Sequence, residues 1–249
     1  MGVSSINSLY TGLSSGYSIN KAADNAAGLA IAEKLQSQAN GYNVGANNAA
    51  TMNDLINVAD GGISSITDSL QRIRELSLQA SNTAIYSSED ISAMQYEIDG
   101  LKQSIQDAAK GTQFNTMSLL DGSKADLHVA SNPDGTGMSI KMVNTTLESL
   151  GIADYDVTKD FDISVIDKAL EKVSSARSSL GASSNALSTV INSNSYTALN
   201  LTSAQSRIED LDYPKAISDL QKERLLEQYK LNMIKKKSED ESLVLRLFR

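Results

Sequence analysis

A run of apolar residues at alternating steps of four and three constrains the fold of this chain most strongly. This heptad spacing places apolar side chains along one seam of an α-helix, and it is sustained for about three repeats. Gly61 and Gly62 lie inside the run, and each costs a helix about 1 kcal/mol relative to Ala. Because the seam stays in phase across them, we predict one helix that continues through both glycines. Its core residues are Met52, Ile56, Ile63, Ile66, Leu70 and Ile73.

Helical spacing also lies on both sides of this seam. Upstream, residues 27–49 indicate a helix that joins it, and Asn40-Gly41 predicts a break between the two. Downstream, Ser88 is followed by acidic residues and is typical of a capped helix start. Helical spacing returns after Asp162 and is interrupted by Pro214, beyond which a last, more charged helix is predicted.

Residues 122–160 follow a different pattern. Two short strand-like runs, 127–129 and 138–143, flank Asn132-Pro133-Asp134-Gly135, which has the composition of a turn. We therefore predict a β-hairpin insert at about 122–160. The fold class is mainly α, a long antiparallel helical bundle or coiled coil with this small β-hairpin.

Composition narrows the classes of function. A chain of 249 residues with 41% apolar and 5% aromatic residues can fill helix seams with Leu, Ile, Val and Ala. The net charge of -8 argues against nucleic acid as a partner. The absence of Cys excludes disulfides and thiol chemistry. We expect neither a membrane span nor a signal peptide, so that any export requires a dedicated apparatus.

No constellation of residues supports catalysis or a cofactor. His128 is the only His, and it has neither Cys nor a second His beside it in the sequence to complete a zinc site. The acidic residues of 154–162 invite a calcium interpretation. An EF-hand counted from Asp154 would need Gly sixth and Glu twelfth, but Lys159 and Val165 stand there. We predict a protein that is not an enzyme and holds no metal or cofactor.

Six short segments, in a fixed order along the chain, carry a recognisable pattern. They are Leu13–Asn20, Ala23–Ile31, Leu70–Leu76, Gly111–Asn115, Ala204–Asp212 and Leu243–Arg249. Together they resemble the signature sequences of bacterial flagellins, and in this order they span nearly the whole length of the chain. The resemblance is to a flagellin with a shortened N-terminal region and a short central region.

The resemblance implies a structural subunit of the bacterial flagellar filament that supports motility. Such subunits are secreted by the flagellar export machinery with a chaperone, and they self-assemble into a helical homopolymer outside the cell. It further implies an inner coiled-coil assembly region, residues 1–25 and 213–249, and an outer helical domain, residues 26–212. Within these, the residues expected to serve assembly are Leu13, Ile19, Ile208, Leu211, Leu243, Leu245 and Leu247.

The family also implies a contact with a Toll-like innate immune receptor. Gln71, Arg72, Glu75 and Leu76 occupy the helix stretch that such receptors recognise in many flagellins. The alternative is that Arg72 and Glu75 form a solvated face or subunit contacts, while Leu76 contributes to the core.

Two departures from the family pattern leave a second function open. Flagellins usually carry a longer segment before Leu13. The stretch 235–241 is densely charged where the family tends to be rich in Ala and Gln. Both departures fall on the assembly region. The alternative is a truncated or minor flagellin paralogue, or a protein of the hook–filament junction type, that does not form the bulk filament.

Overall fold

The computed structural model describes the backbone of residues 2–247 and the side chains of residues 6–242. Long helices dominate the described residues, and the predicted helical class with a small antiparallel insert is confirmed. The helices are α1 (Gly2–Ser15), α2 (Ala22–Ala80), α3 (Ser88–Gly111), α4 (Leu147–Leu150), α5 (Ser164–Glu209) and α6 (Tyr213–Leu247). The strands are β1 (Gln113–Phe114), β2 (Met117–Ser118), β3 (Asp126–Ala130) and β4 (Gly137–Lys141).

The chain divides into two compact units. One unit contains described residues of 1–39 and 198–249, so it joins segments from both ends of the sequence. The other contains residues 40–197. The predicted division into an assembly region and an outer domain concerns the polymer, and it stays a prediction.

A single apolar cluster forms the core of residues 40–197, and the heptad seam of α2 lies at its centre. Ile63, Ile66, Leu70 and Ile73 are fully buried, Ile56 is 2% exposed, and Met52 is half-buried at the edge. Helices α3 and α5 contribute their own apolar stripes to this cluster. Burial of one such side chain contributes roughly 1.5–3 kcal/mol, so the seam is a major source of stability.

The predicted break at Asn40-Gly41 is wrong, because α2 continues through these residues. The non-helical angles within α2 lie instead at Asn25, where φ is -162° and ψ is 93°. Gly41 allows close packing rather than a break: a β-carbon there would stand 2.6 Å from the β-carbon of Pro133 in the hairpin turn. A glycine that makes room for a distant segment looks the same in the sequence as one that ends a helix.

Helix α3 begins at Ser88, and the hydrogen bonds at its start identify the N-cap residue. The N-cap is Ser87 rather than the predicted Ser88, with extended angles of φ -73° and ψ 167°. Its hydroxyl accepts the Asp90 N–H at 3.2 Å, and the Asp90 carboxylate accepts the Ser87 N–H at 2.9 Å. This reciprocal capping box satisfies two helix-terminal donors.

The predicted hairpin is formed by β3 and β4, which pair antiparallel from Asp126 opposite Lys141 to Ala130 opposite Gly137. Gly135 has φ +82° and supplies the left-handed conformation that the turn requires. A second, two-residue hairpin of β1 and β2 was not predicted.

Candidate assembly surfaces

Two backbone hydrogen bonds tie the segment after α1 to the segment after α5. The Ser18 N–H donates to the Glu209 carbonyl oxygen at 2.7 Å, and the Leu211 N–H donates to the Gly16 carbonyl oxygen at 2.9 Å. These bonds satisfy backbone donors and acceptors that would otherwise lack hydrogen-bond partners where the chain leaves the helices. They place the end of α1 beside the start of α6.

Helices α1 and α6 contact each other beyond this junction. The Tyr213 hydroxyl donates to the Leu13 carbonyl oxygen at 3.4 Å. One turn of helix α1 before Leu13, the guanidinium carbon of Arg224 lies 5.4 Å from the centroid of the Tyr10 ring, within the range of a cation–π contact. The chain ends therefore pair helix to helix within one copy.

The residues predicted to serve assembly fall into two groups. Ile19 is 7% exposed, and Leu13, Ile208 and Leu211 are half-buried at or near this junction. The side chains of Leu243, Leu245 and Leu247 lie outside the described residues.

Most of α6 presents its side chains to solvent. Ala216 and Leu220 are buried, but no described side chain from 221 to 242 is. Helix α6 has 35 residues and α1 has 14, so α1 runs alongside only part of α6. The large apolar side chains left exposed include Leu225, Leu226, Tyr229, Leu231, Met233 and Ile234, each at least 41% exposed. An exposed series of this kind marks an interaction surface.

The predicted receptor-contact residues split between surface and core. Gln71, Arg72 and Glu75 are exposed, whereas Leu76 is 2% exposed and belongs to the core. The Arg72 Nε lies 2.7 Å from a carboxylate oxygen of Glu97 on α3, and its Nη1 lies 3.1 Å from Glu75. A contact at this stretch would therefore involve the exposed charged residues rather than Leu76.

Two of the acidic residues in 154–162, Asp156 and Asp162, stabilise local turns. The ammonium of Lys159, 2.8 Å from the Asp156 carboxylate, lowers the pKa of that carboxyl to about 2, and Thr158 adds hydrogen bonds. Asp162 accepts the Ser164 N–H at 2.9 Å at the start of α5, and its pKa is lowered by hydrogen bonds from Ser164. Each of these two carboxylates thus has a structural partner.

His128 lies within the hairpin, and the residues around it are ordinary hairpin groups. One ring nitrogen is 3.4 Å from the Gly135 carbonyl oxygen, and the other is 3.5 Å from the Ser139 hydroxyl. Among the described side chains, no three His, Cys, Asp or Glu residues converge as a metal site would require. None of the described helices is both long and apolar enough to cross a membrane.

A buried helical core together with exposed apolar residues on a long terminal helix is typical of a structural protein with an interaction surface. Comparison with known proteins gives the family. The model of the bacterial flagellin N-terminal helical region matches residues 3–125, and that of the bacterial flagellin C-terminal helical region matches residues 163–248. The chain belongs to the bacterial flagellin family.

Individual relatives agree with this assignment. The chain is 34% identical to the flagellin of Bacillus subtilis, over 95% of this chain and 90% of that protein. It is also 34% identical to the flagellar filament 33 kDa core protein of Treponema phagedenis, again over 95% of this chain and 90% of that protein. The crystal structure of Bacillus cereus flagellin aligns with a TM-score of 0.53 and 25% identity, covering 59% of this chain and 88% of that one.

These matches confirm the predicted identity and the predicted function as a structural subunit of the flagellar filament. The protein is flagellum-associated and self-polymerising. No relative described above favours the alternative of a minor paralogue or junction protein.

Proposed function

We propose that this flagellin is secreted and polymerises with identical copies into the extracellular filament through α1 and α6, and that it has no enzymatic activity. The observation that carries the proposal is the exposed apolar series of α6. Residues 40–197 bury their apolar stripes within one copy, whereas α6 leaves Leu225, Tyr229 and Ile234 at 66%, 63% and 65% exposure. Nothing in the described part of this chain covers them, and a neighbouring copy would.

The same surface explains how a filament gains stability as it grows. A helix that cannot bury its apolar side chains gains little from its own hydrogen bonds. Burial in a neighbouring copy contributes roughly 1.5–3 kcal/mol for each large apolar side chain that becomes fully covered. If the covering surface differs from the covered one, the contact repeats without closing, and an open helical polymer results.

The unpolymerised subunit needs protection, and this supports two further partners. Exposed apolar side chains on α6 are an aggregation hazard before assembly. A chaperone that covers α6, followed by transfer to the flagellar export machinery, would keep the subunit competent until it reaches the filament.

A pelleting assay tests the role of α6. We expect the triple variant Leu225→Ser, Tyr229→Ser, Ile234→Ser to keep its folded core but to lose sedimentable polymer. The matched control is Tyr96→Ser, which removes an aromatic side chain that is 80% exposed on α3. Circular dichroism checks that both variants fold. If the triple variant pelleted like the unmodified protein, assembly through α6 would be wrong.

The exposed residues of α2 support a second proposal, recognition by a Toll-like innate receptor. Arg72 is held in place by Glu75 and Glu97, so it offers a fixed charged group beside Gln71. A receptor reporter assay with purified protein tests this contact. We expect Arg72→Ala to reduce the receptor response. An unchanged response would contradict the proposal and indicate that these residues form a solvated surface without receptor contact.

A further inference from the structure

Ile85 lies in the turn between α2 and α3. At 72% exposure it is the most exposed large aliphatic side chain among the described residues. The turn is held by hydrogen bonds from the Ile85 and Tyr86 N–H groups to the Asn82 carbonyl oxygen, at 3.1 and 3.3 Å, and the N-cap Ser87 follows directly. Ile85 is therefore an apolar group on a preorganised turn, which lowers the entropic cost of docking it into a partner.

A cavity of about 330 Å³ lies between α2, the β1–β2 hairpin and β3. All three elements contribute apolar side chains to its lining, which are Met52, Leu55, Phe114, Met117 and Val129. Its volume falls at the lower end of the range of protein binding pockets. The cavity therefore offers a recess for a single apolar group.

The β1–β2 turn forms one wall of this cavity in a strained conformation. Asn115 has φ +48° and Thr116 has φ +64°, in the left-handed region that residues other than Gly seldom adopt. Phe114 and Met117, which flank the turn, pair directly across the hairpin, and both line the cavity. Strain of this kind is frequent where a backbone is held for binding. We therefore interpret the turn as the element that keeps these two side chains on the cavity wall.

The rim of the cavity is polar but uncharged. The Asn48 side-chain amide donates to the Ala130 carbonyl oxygen at 2.9 Å, and the Thr51 hydroxyl donates to the Asn47 carbonyl oxygen at 3.0 Å. The described residues that line the cavity include no Asp, Glu, Lys or Arg, and neither does the turn segment 81–87. The two surfaces therefore match in charge, and their contact leaves no buried ion unpaired.

The turn and the cavity lie at different positions along α2. The cavity surrounds residues 48–55 of this helix, whereas the turn that carries Ile85 follows its last residue, Ala80. At 1.5 Å per residue, the two features are roughly 40 Å apart along the helix axis. Ile85 cannot reach the cavity of its own subunit, so a contact between them joins two copies.

We propose that Ile85 of one subunit docks into this cavity on the next subunit of the filament. A chain that polymerises must carry two different patches that fit each other, and the turn and the cavity are such a pair. Their contact repeats without closing and keeps all subunits pointing the same way. The proposal rests on the proposed polymerisation, and it adds a contact made by residues 40–197 to those of α1 and α6.

Substitution of Ile85 tests the inserted group in the full-length protein under polymerising conditions. We expect Ile85→Ser to raise the protein concentration at which polymer first sediments by about tenfold or more, because each contact loses one buried aliphatic side chain. Ile85→Val should keep most of the assembly, and Tyr96→Ser, an exposed site on α3, should assemble normally. Circular dichroism should show unchanged folding, since both positions are exposed.

The outcomes separate this contact from assembly as such. If the unmodified protein polymerises and Ile85→Ser polymerises equally well, the contact of Ile85 is overturned while assembly through α6 stands. If the unmodified protein fails to polymerise, the proposed function is overturned, and this contact with it.

Thr51→Phe tests the cavity from the other side. Thr51 is exposed on the rim, so an aromatic ring at this position can fill the cavity without entering the core. We expect the same rise in the concentration required for polymer. Ser69→Phe is the matched control, because it adds the same ring at an exposed position of α2 outside the cavity. Equal sedimentation of the two variants contradicts the docking site.

Crosslinking tests the contact directly, and the absence of native Cys gives a clean background. The double variant Ala84→Cys, Thr51→Cys keeps Ile85 and places one thiol beside it and one on the cavity rim. These positions are roughly 40 Å apart within a subunit, so a short bis-maleimide can join them only between copies. Polymer of the double variant should give a ladder of covalent oligomers, and each single variant should give dimers at most. Polymer that yields no ladder contradicts the proposal.

Discussion

Gly45 of α2 lies so close to the carbonyl oxygen of Ser131 that a β-carbon at position 45 would fall far inside van der Waals contact with it. The same oxygen accepts a hydrogen bond from the Asn194 side-chain amide on α5 at 2.6 Å. The residue after β3 thus packs between two helices, against Gly45 of α2 on one side and the buried Asn194 amide of α5 on the other. These two contacts hold the hairpin against the helical core of residues 40–197.

Gly45→Ala should destabilise the protein by about 2 kcal/mol or more, because the obstacle is backbone and the helix or the hairpin must shift. Gly61→Ala is the matched control in the same helix. A β-carbon at position 61 meets nothing within 4 Å, so this change should stabilise by about 0.5–1 kcal/mol. Urea unfolding followed by circular dichroism measures both. Equal effects of the two substitutions would contradict the account of Gly45.

Leu70→Ala should lower the free energy of unfolding by roughly 2–5 kcal/mol, because it leaves a cavity at the centre of the α2 seam. Leu78→Ala removes the same atoms from α2 at a side chain that is 49% exposed, and it should cost no more than about 0.5 kcal/mol. Denaturant midpoints compared at equal slope test this difference. Similar losses for both variants would mean that the seam is not the centre of the core.

The Asp156–Lys159 pair predicts a dependence of stability on pH. The pKa of Asp156 is about 2 in the folded protein and about 3.9 in an unfolded chain. Its contribution is therefore fully present above the unfolded pKa and is lost as pH falls through the folded pKa. Asp156→Asn should lower stability slightly at pH 7, since solvent screens the pair, and the difference from the unmodified protein should shrink between pH 5 and pH 2. A difference that is constant over this range would exclude the carboxylate as its cause.

Deletion of residues 214–249 should leave a folded, helical and monomeric protein. The core cluster of residues 40–197 contains no residue of α6, so its packing does not depend on the deleted helix. Circular dichroism and sedimentation measure the two properties. Loss of helicity throughout would show that α6 is required for folding rather than for assembly.

The sequence predicts the parts of this fold whose causes are local. The spacing of four and three from Met52 to Ile73 predicts the buried seam, and Asn132 to Gly135 predicts the hairpin turn. The hairpin of β1 and β2 escapes prediction because each strand has two residues and the turn places Asn115 and Thr116, neither of them Gly, at positive φ. Asn tolerates that conformation, but a β-branched Thr rarely adopts it, so Asn115-Thr116 is not a typical hairpin-turn pair.

Long-range contacts account for the other differences. In the sequence, Gly41 suggests a helix break. In the structure, Pro133 packs against it, and this contact cannot be predicted locally because Pro133 lies far along the chain. The assembly surface on α6 is only partly predictable from the sequence. Its apolar residues are visible in the sequence, but only the structure shows that Leu225 and Tyr229 are uncovered whereas Leu220 is buried.

Electron microscopy of the purified protein under polymerising conditions tests the central claim most directly. A flagellin whose α6 is covered by neighbouring copies should form long filaments of uniform width, and the protein lacking residues 214–249 should form none under the same conditions. Persistent monomers of the full-length protein, or filaments formed equally well by the deletion variant, would contradict assembly through the terminal helices.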